Sequence, residues 1–289
     1  MGKSLYEQDT RARDFFDRAD AVIGISLSTI CFNGPEEILR QTQNTQPAIF
    51  LHSVILAQLV GHNDAAMAAG HSLGEYSALV FAGAITMEDG LKIVRLRGEL
   101  MQRAGEETKG TMAAIIGLEA SVVEEICKAA SVDGVVQCAN FNSPGQIVIS
   151  GSVSGVRRGM ELAKAGGAKL VKELPVSGAF HSPLMESARE GLSAALAITP
   201  IQDARVPVYA NVTGRPVQKA KEIRTLLEAQ LTSPVRWEET IRNMTSDGAS
   251  SFVELGPGKV LQGLVKRIDQ SVNVRGMDVH ADVTKTVNV

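Results

Sequence analysis

Ala65-Ala66-Met67-Ala68-Ala69-Gly70-His71-Ser72-Leu73-Gly74-Glu75-Tyr76-Ser77-Ala78 decides the fold: an apolar run stops at a glycine, a serine follows between two glycines, and helix-forming residues come next. The order is strand, sharp turn, helix. Alanine is a poor strand former, so local propensity alone makes Ala65 to Ala69 helical, and the strand reading rests on the glycine turn and helix after it. Gly70 to Gly74 fits the G-x-S-x-G elbow, in which a tight turn exposes a serine hydroxyl at the head of a helix. There the Leu73 amide and the helix N-terminus face the place where a tetrahedral oxyanion forms. The pattern alone is weak, since an ordinary glycine turn has the same residues.

Upstream of the elbow, an amphipathic helix is predicted from Ser4 to about Asp20, with Leu5, Phe15 and Phe16 on its apolar side. A second runs from Pro47, a residue suited to the first helical position, to about Leu59. Downstream, helices are predicted over Glu75 to Ala84 and Met87 to Arg103. Between Gly110 and Leu174 the periodicity predicts strand Met112 to Leu118, helix Ser121 to Ala130, strands Val135 to Ala139 and Gln146 to Ser150, helix Ser154 to Ala165, and strand Lys169 to Leu174. That order, βαββαβ, is ferredoxin-like. Val206 to Asn211 and Ser251 to Leu255 read as further strands that end in turn sequences, where sites of open α/β sheets collect. The expected fold class is therefore α/β. Residues 1–109 and 175–289 form an α/β-hydrolase-like large subdomain with a parallel sheet, and residues 110–174 an inserted ferredoxin-like small subdomain.

Composition agrees with this class. Of 289 residues, 44% are hydrophobic but only 4% aromatic, and 27 are glycine, which suits helices laid on a sheet. Net charge is −3 without a basic block, so no nucleic-acid partner is expected. The three cysteines, Cys31, Cys127 and Cys138, have no metal spacing and leave one over from pairing, so neither a disulfide framework nor a metal site is expected. No membrane-spanning run or signal peptide is read, and the expected location is cytoplasmic.

A serine needs a base. Of the five histidines, His52 and His62 fall near predicted helix ends, in capping or surface positions. His71 sits on a backbone turning away from Ser72, and His280 lies in a polar C-terminal tail expected to be mobile. His181, in Ser177-Gly178-Ala179-Phe180-His181-Ser182, enters a loop from which it could reach the elbow, but loop histidines also have structural roles. Arg97 falls within the apolar stripe of Ile93, Val94 and Met101. It is either a buried structural ion pair or a planar fork for a substrate carboxylate.

Beyond the elbow, Gly-His-Ser-Leu-Gly-Glu-Tyr-Ser-Ala at 70–78, Arg97-Gly98, Phe141-Asn142-Ser143-Pro144-Gly145-Gln146 and Ala179-Phe180-His181-Ser182 stand in one order. Asn211-Val212-Thr213-Gly214, Gln230 to Trp237 and Glu254-Leu255-Gly256-Pro257-Gly258 come after them. Together they resemble the malonyl-CoA:acyl carrier protein transacylase family over nearly the whole chain. The resemblance implies transfer of malonyl from malonyl-CoA to acyl carrier protein, with Ser72 as nucleophile, His181 as base and the Gln230 backbone carbonyl orienting the imidazole. It further implies that Arg97 holds the malonyl carboxylate, that Leu73 donates one oxyanion amide, that Asn142 lies near the acyl pocket, and that Phe180 disfavours an α-methyl branch. Coenzyme A thioester is the substrate, no cofactor is required, and a monomer is expected. Acidic carrier proteins make Arg157, Arg158, Lys169 and Lys172 candidates for a docking patch. The family opens with a strand and a Gly-Gln-Gly-Ser-Gln loop supplying a second oxyanion donor. This sequence starts after both, so the expected fold lacks that strand.

Two other readings compete. A serine esterase or thioesterase of α/β-hydrolase type orders its triad Ser, acid, His and would recruit His280. An inactive carrier-binding scaffold would fit a site short of its second oxyanion donor.

Overall fold

Asp9 breaks the N-terminal amphipathic stretch into two helices, α1 (Lys3–Gln8) and α2 (Thr10–Ile23), where one was predicted. Its backbone is extended and its carboxylate accepts from the Arg11 and Ala12 amides, so it caps a new helix. The computed structural model describes residues 1–61, 65–176 and 178–287, and His62 and Ser177 lie outside the described residues. Two short helices that the sequence reading does not contain come next, α3 (Leu27–Asn33) and α4 (Glu36–Arg40).

Helix α5 (Thr42–Val60) carries Pro47 in its interior and not at its first position. Proline offers no N–H to the carbonyl four residues back. That carbonyl, Gln43 O, instead accepts from Arg95 Nη1 at 2.9 Å. Buried residues occur on all sides of α5 between Ala48 and Leu59, as suits a helix at the centre of the core. His52 is among them. It is buried and donates from Nε2 to the Asp278 carbonyl at 2.7 Å, which corrects its expected place at a helix end.

Strand β1 (Ala68–Ala69) keeps only the last two residues of the predicted Ala65 to Ala69 strand; α6 (Gly74–Phe81) and α7 (Met87–Glu107) follow. Then come β2 (Gly110–Ile116), α8 (Ala120–Ala130), β3 (Val136–Ser143), β4 (Gln146–Ser152), α9 (Val153–Ala165) and β5 (Leu170–Glu173). The four strands form an antiparallel sheet in the order β3-β4-β2-β5. One face packs Ala113, Ile115 and Ile149 against Val123 and Val156 of α8 and α9. The other gathers Met112, Ala139 and Val148 with Phe180.

After a 3-10 turn at Pro183–Met185 the chain forms α10 (Glu186–Ile198), β6 (Val208–Tyr209), β7 (Pro216–Val217), α11 (Ala220–Gln230) and α12 (Trp237–Ser246). It finishes with β8 (Ser251–Leu255), α13 (Val260–Ile268), β9 (Asn273–Met277) and α14 (His280–Val287). His280 therefore opens a helix that packs on α5, and the expected mobile tail is corrected. β6 is shorter than the predicted Val206 to Asn211. It pairs parallel with β1 and antiparallel with β7, while β8 and β9 form a separate parallel pair. Among the described residues no strand joins that pair to β1. The register Ala69 to Tyr209 sets the chain after β1 beside the chain after β6, and this brings Gly70 next to Asn211.

No helix among the described residues is long and apolar enough to cross a membrane. All three cysteines are buried free thiols.

Candidate active site

Ser72 stands between β1 and α6 with φ at 50°, in the left-handed region that costs an L-residue roughly 1–2 kcal/mol. Gly70 makes the turn possible: a Cβ there would lie 2.0 Å from the Gly74 backbone. Gly74 itself has open space around its Cα, so the second glycine of the motif is not sterically required. The amides of Gly74, Glu75 and Tyr76 bond back to the carbonyls of His71, Ser72 and Leu73, whereas the Leu73 amide has no acceptor among the described residues. It is an N-terminal helix donor beside the serine, as an oxyanion hole requires.

His181 shares the unusual backbone, with φ at 57°. The loop carrying it is held by Ser182 Oγ, which donates to Ala179 O at 2.6 Å, and by Gln137 of β3, whose Nε2 donates to the carbonyls of both His181 and Thr232. The Ser72 hydroxyl lies 2.8 Å from His181 Nε2, and His181 Nδ1–H donates to the Gln230 carbonyl at 2.9 Å. The carbonyl can only accept, so Nε2 is left as the acceptor for the serine proton. Burial, and then the neighbouring Arg97 charge, hold His181 down to about 3, with the Gln230 carbonyl pulling the other way. The imidazole is therefore neutral at ordinary pH, the form a base needs.

Arg97 is only 1% exposed, and among the described residues it enters no ion pair with a carboxylate. Nη1 donates to Gln46 Oε1 at 2.6 Å, and Nη2 donates to Gln230 Oε1 at 3.0 Å and to Ser72 Oγ at 3.1 Å. Its Nε has no partner among the described residues. Among the described residues the structural ion pair left open in the sequence is not formed, and the guanidinium faces the serine.

Asn142 accepts from His71 Nε2 at 2.8 Å, and the His71 ring packs on Trp237. His71 is thus turned away from Ser72 Oγ and engaged elsewhere. Phe180, next to His181, is half-buried between the main core and the Met112 cluster. Gln230 of α11 contributes twice, since its backbone carbonyl holds His181 while its side chain reaches Arg97 and, through Nε2, Ser72 O.

Three residues here have no role in the sequence reading. Asn211, fully buried, accepts from the Ser72 amide at 2.6 Å, donates from Nδ2 to Gly70 O, and gives its own amide to Glu75 Oε2. Glu75 also accepts from Gln230 Nε2 at 2.7 Å, and burial pushes it up to about 7 against the pull of these donors and Arg97. Gln46 seats the guanidinium and itself donates to Met101 Sδ. A carboxylate among the apolar residues of Gly74–Phe81 is the signal that points to Glu75. A surface hollow of about 570 Å³ beside Phe15 and Leu59 includes none of these residues. Among the described residues no group of three or more His, Cys, Asp or Glu is placed to hold a metal ion.

A hydroxyl raised on a strained turn against a neutral imidazole is the chemistry of serine acyl transfer, and residues 1–285 match the acyl transferase domain family. The chain is 45% identical over 273 residues to the malonyl CoA-acyl carrier protein transacylase of Bacillus subtilis, covering 93% of this chain and 86% of that protein. The structure of the corresponding Coxiella burnetii protein superposes with a TM-score of 0.96 at 39% identity, covering 100% of this chain and 92% of that one. A malonyl-transacylase solved in complex with a type II polyketide acyl carrier protein gives 0.95 at 37% identity, covering 100% and 94%. The chain belongs to the malonyl-CoA:acyl carrier protein transacylase family.

Proposed function

We propose that this chain carries a malonyl group from malonyl-CoA to the phosphopantetheine thiol of an acyl carrier protein by way of a malonyl ester on Ser72. Ser72 Oγ adds to the thioester carbonyl while His181 Nε2 takes its proton, the Leu73 amide receives the oxyanion, and the proton passes to the departing coenzyme A sulfur. The carrier thiol then gives its proton to His181 and adds to the ester, and His181 returns that proton to the departing Ser72 oxygen. Two similar exchanges share one base. The observation that carries the malonyl reading is Arg97 Nη2 at 3.1 Å from the nucleophile, a buried cation where the acyl group must sit. Asn142 and Phe180 line the same region in this reading, with Phe180 narrowing the space beside the acyl α-carbon. A base supplied by His181 removes the need for His280, which opens α14, and so favours transfer over the esterase reading.

The division into an α/β-hydrolase-like part (1–109 and 175–289) and an inserted ferredoxin-like part (110–174) belongs to the same proposal. Its support is the antiparallel order β3-β4-β2-β5 and the helices on one face of that sheet. A monomer suffices, because every group of the mechanism comes from one chain.

Arg97→Ala tests the proposal. Malonyl transfer is expected to fall roughly 10–100-fold, the worth of hydrogen bonds to a charged group, while acetyl transfer is kept or improved. Equal loss for both acyl groups would show that Arg97 is only structural.

For the carrier, Lys169 and Lys172 are the favoured part of the candidate patch. Arg157 lies 3.6 Å from Glu173, and Arg158 contacts Asp133 and Glu161, so their charge is offset. Lys169 and Lys172 are exposed and have no ion pair among the described residues. Reversing both to Glu is expected to raise the KM for carrier protein several-fold at low salt and leave hydrolysis of malonyl-CoA unchanged. Transfer indifferent to the reversal places docking elsewhere.

A further inference from the structure

Beneath the elbow lies a buried pair of opposite charges that do not touch. Glu75 is 2% exposed and Arg97 1%. Gln230 stands between them, its Nε2 on Glu75 Oε2 at 2.7 Å and its Oε1 taking Arg97 Nη2 at 3.0 Å. The carboxylate can only accept, so it fixes which way the Gln230 amide points, and that in turn presents an oxygen to the guanidinium. One positive and one negative group balance while the site is without substrate. An acyl carboxylate placed on Arg97 upsets the balance, because two carboxylates then share one guanidinium in a water-poor interior.

We propose that Glu75 takes up a proton from solvent when the acyl carboxylate settles on Arg97, so that the site binds a carboxylate-bearing acyl group together with a proton. This rests on the malonyl reading above. The incoming carboxylate keeps its charge because the guanidinium holds it directly, whereas Glu75 meets Arg97 only across Gln230. Protonation leaves the scaffold intact: a carboxylic acid still accepts from the Asn211 amide and Gln230 Nε2 through its carbonyl oxygen.

The surrounding groups leave Glu75 as the one that responds. From α7 there is Arg97, which stays charged, and from α6 Tyr76, which burial raises beyond the neutral range. From the turn before α6 there is His71 and from the loop before α10 His181, both lowered by burial and neutral. From α11 and the end of β6 come Gln230 and Asn211, which do not titrate. Glu75 is already pushed up to about 7 by burial, and added negative charge raises it further.

Linkage sets the sign. A group whose pKa rises on binding takes up protons, so affinity weakens as pH climbs from the free-state value to the bound-state value, by up to about tenfold per pH unit. Malonyl-CoA should lose about tenfold in affinity between pH 6.5 and 8.5, and acetyl-CoA should not.

The test uses the Ser72→Ala chain, which binds thioesters without being acylated. Calorimetric titration with malonyl-CoA and acetyl-CoA at pH 7.5, in two buffers of different ionisation enthalpy, counts the protons exchanged. Malonyl-CoA is expected to take up several tenths of a proton more than acetyl-CoA, and adding Glu75→Gln should erase the difference while malonyl binding persists. Equal uptake for the two thioesters, or an excess that survives Glu75→Gln, overturns the proposal. Should the double variant not fold, difference infrared spectra of the Ser72→Ala chain decide: malonyl-CoA must convert a carboxylate band to a protonated acid band, and no conversion overturns it. Adding Arg97→Ala separates the two ideas. A malonyl preference that survives it sinks the Arg97 reading, whereas a preference lost without any proton excess in the Arg97-intact chain sinks the Glu75 proposal alone.

Discussion

Replacing Ser72 by alanine is expected to abolish the malonyl adduct in intact-mass measurements and to lower transfer by about 10⁴–10⁶-fold, the scale seen when a serine nucleophile is removed from a site whose groups act as a unit. The fold should be spared. Among the described residues the hydroxyl hydrogen-bonds only with His181 and Arg97, while the backbone is held separately by the Asn211 side chain on the Ser72 amide. Alanine meets the same left-handed φ of 50° as serine does, so backbone strain does not change. Melting temperature should therefore move little. The measurement has a clean background, because Cys31, Cys127 and Cys138 are buried and offer no rival nucleophile at the surface. A malonyl adduct of unchanged yield on the alanine variant would remove Ser72 from the mechanism and with it the covalent route.

The chemistry of this chain was more legible in its sequence than its architecture. The elbow could be read because its requirement is local: Gly70 must lack a Cβ, and an apolar run and a helix must flank the serine. The βαββαβ stretch could be read because its apolar runs are set off by turn sequences, Ser143-Pro144-Gly145 between β3 and β4 and Gly166-Gly167 after α9. The sheet holding the nucleophile could not, because β1 and β6 are two residues each and β1 is alanine, which gives neither propensity nor pattern. Pro47 misled for a different reason. Its lost hydrogen bond is compensated by Arg95, some fifty positions away, and no local rule reports that. Asn211, Glu75 and Gln46 were missed on the same account. Asn211 and Gln46 are ordinary in their own segments, Glu75 stands out only as a carboxylate in an apolar helix, and all three acquire a role only when β6, α6, α5 and α11 converge.

His181→Ala is expected to lower malonyl transfer by roughly 10²–10⁴-fold, the contribution of a positioned general base, and its pH behaviour distinguishes this histidine from an exposed one. An imidazole of ordinary pKa loses its base form as pH falls through about 6.5, and the rate falls with it. Here burial and the Arg97 charge hold His181 at about 3. At saturating malonyl-CoA the acylation rate in the native chain should therefore stay level from pH 8 to well below 6.5 wherever the fold persists. Stability changes in the opposite direction to that robustness. The unfolded chain binds a proton on this histidine near pH 6.5 and the folded chain refuses it, so the stabilising contribution is complete above about 6.5 and is lost as pH falls toward the folded value. His52 and His71, both lowered by burial, add to the same acid-side slope. Glu75 acts the other way, because the folded chain protonates it near 7 and the unfolded chain only near 4.5, but three histidines outweigh one carboxyl. Melting temperature plotted against pH should accordingly decline below about 6.5 in the native chain, and less steeply in His181→Ala, where His52 and His71 alone oppose Glu75. A rate profile that breaks near 6.5, or a variant whose melting temperature falls as steeply as the native chain's, would mean that His181 titrates as an exposed imidazole and that the buried pairing with Ser72 does not hold in solution.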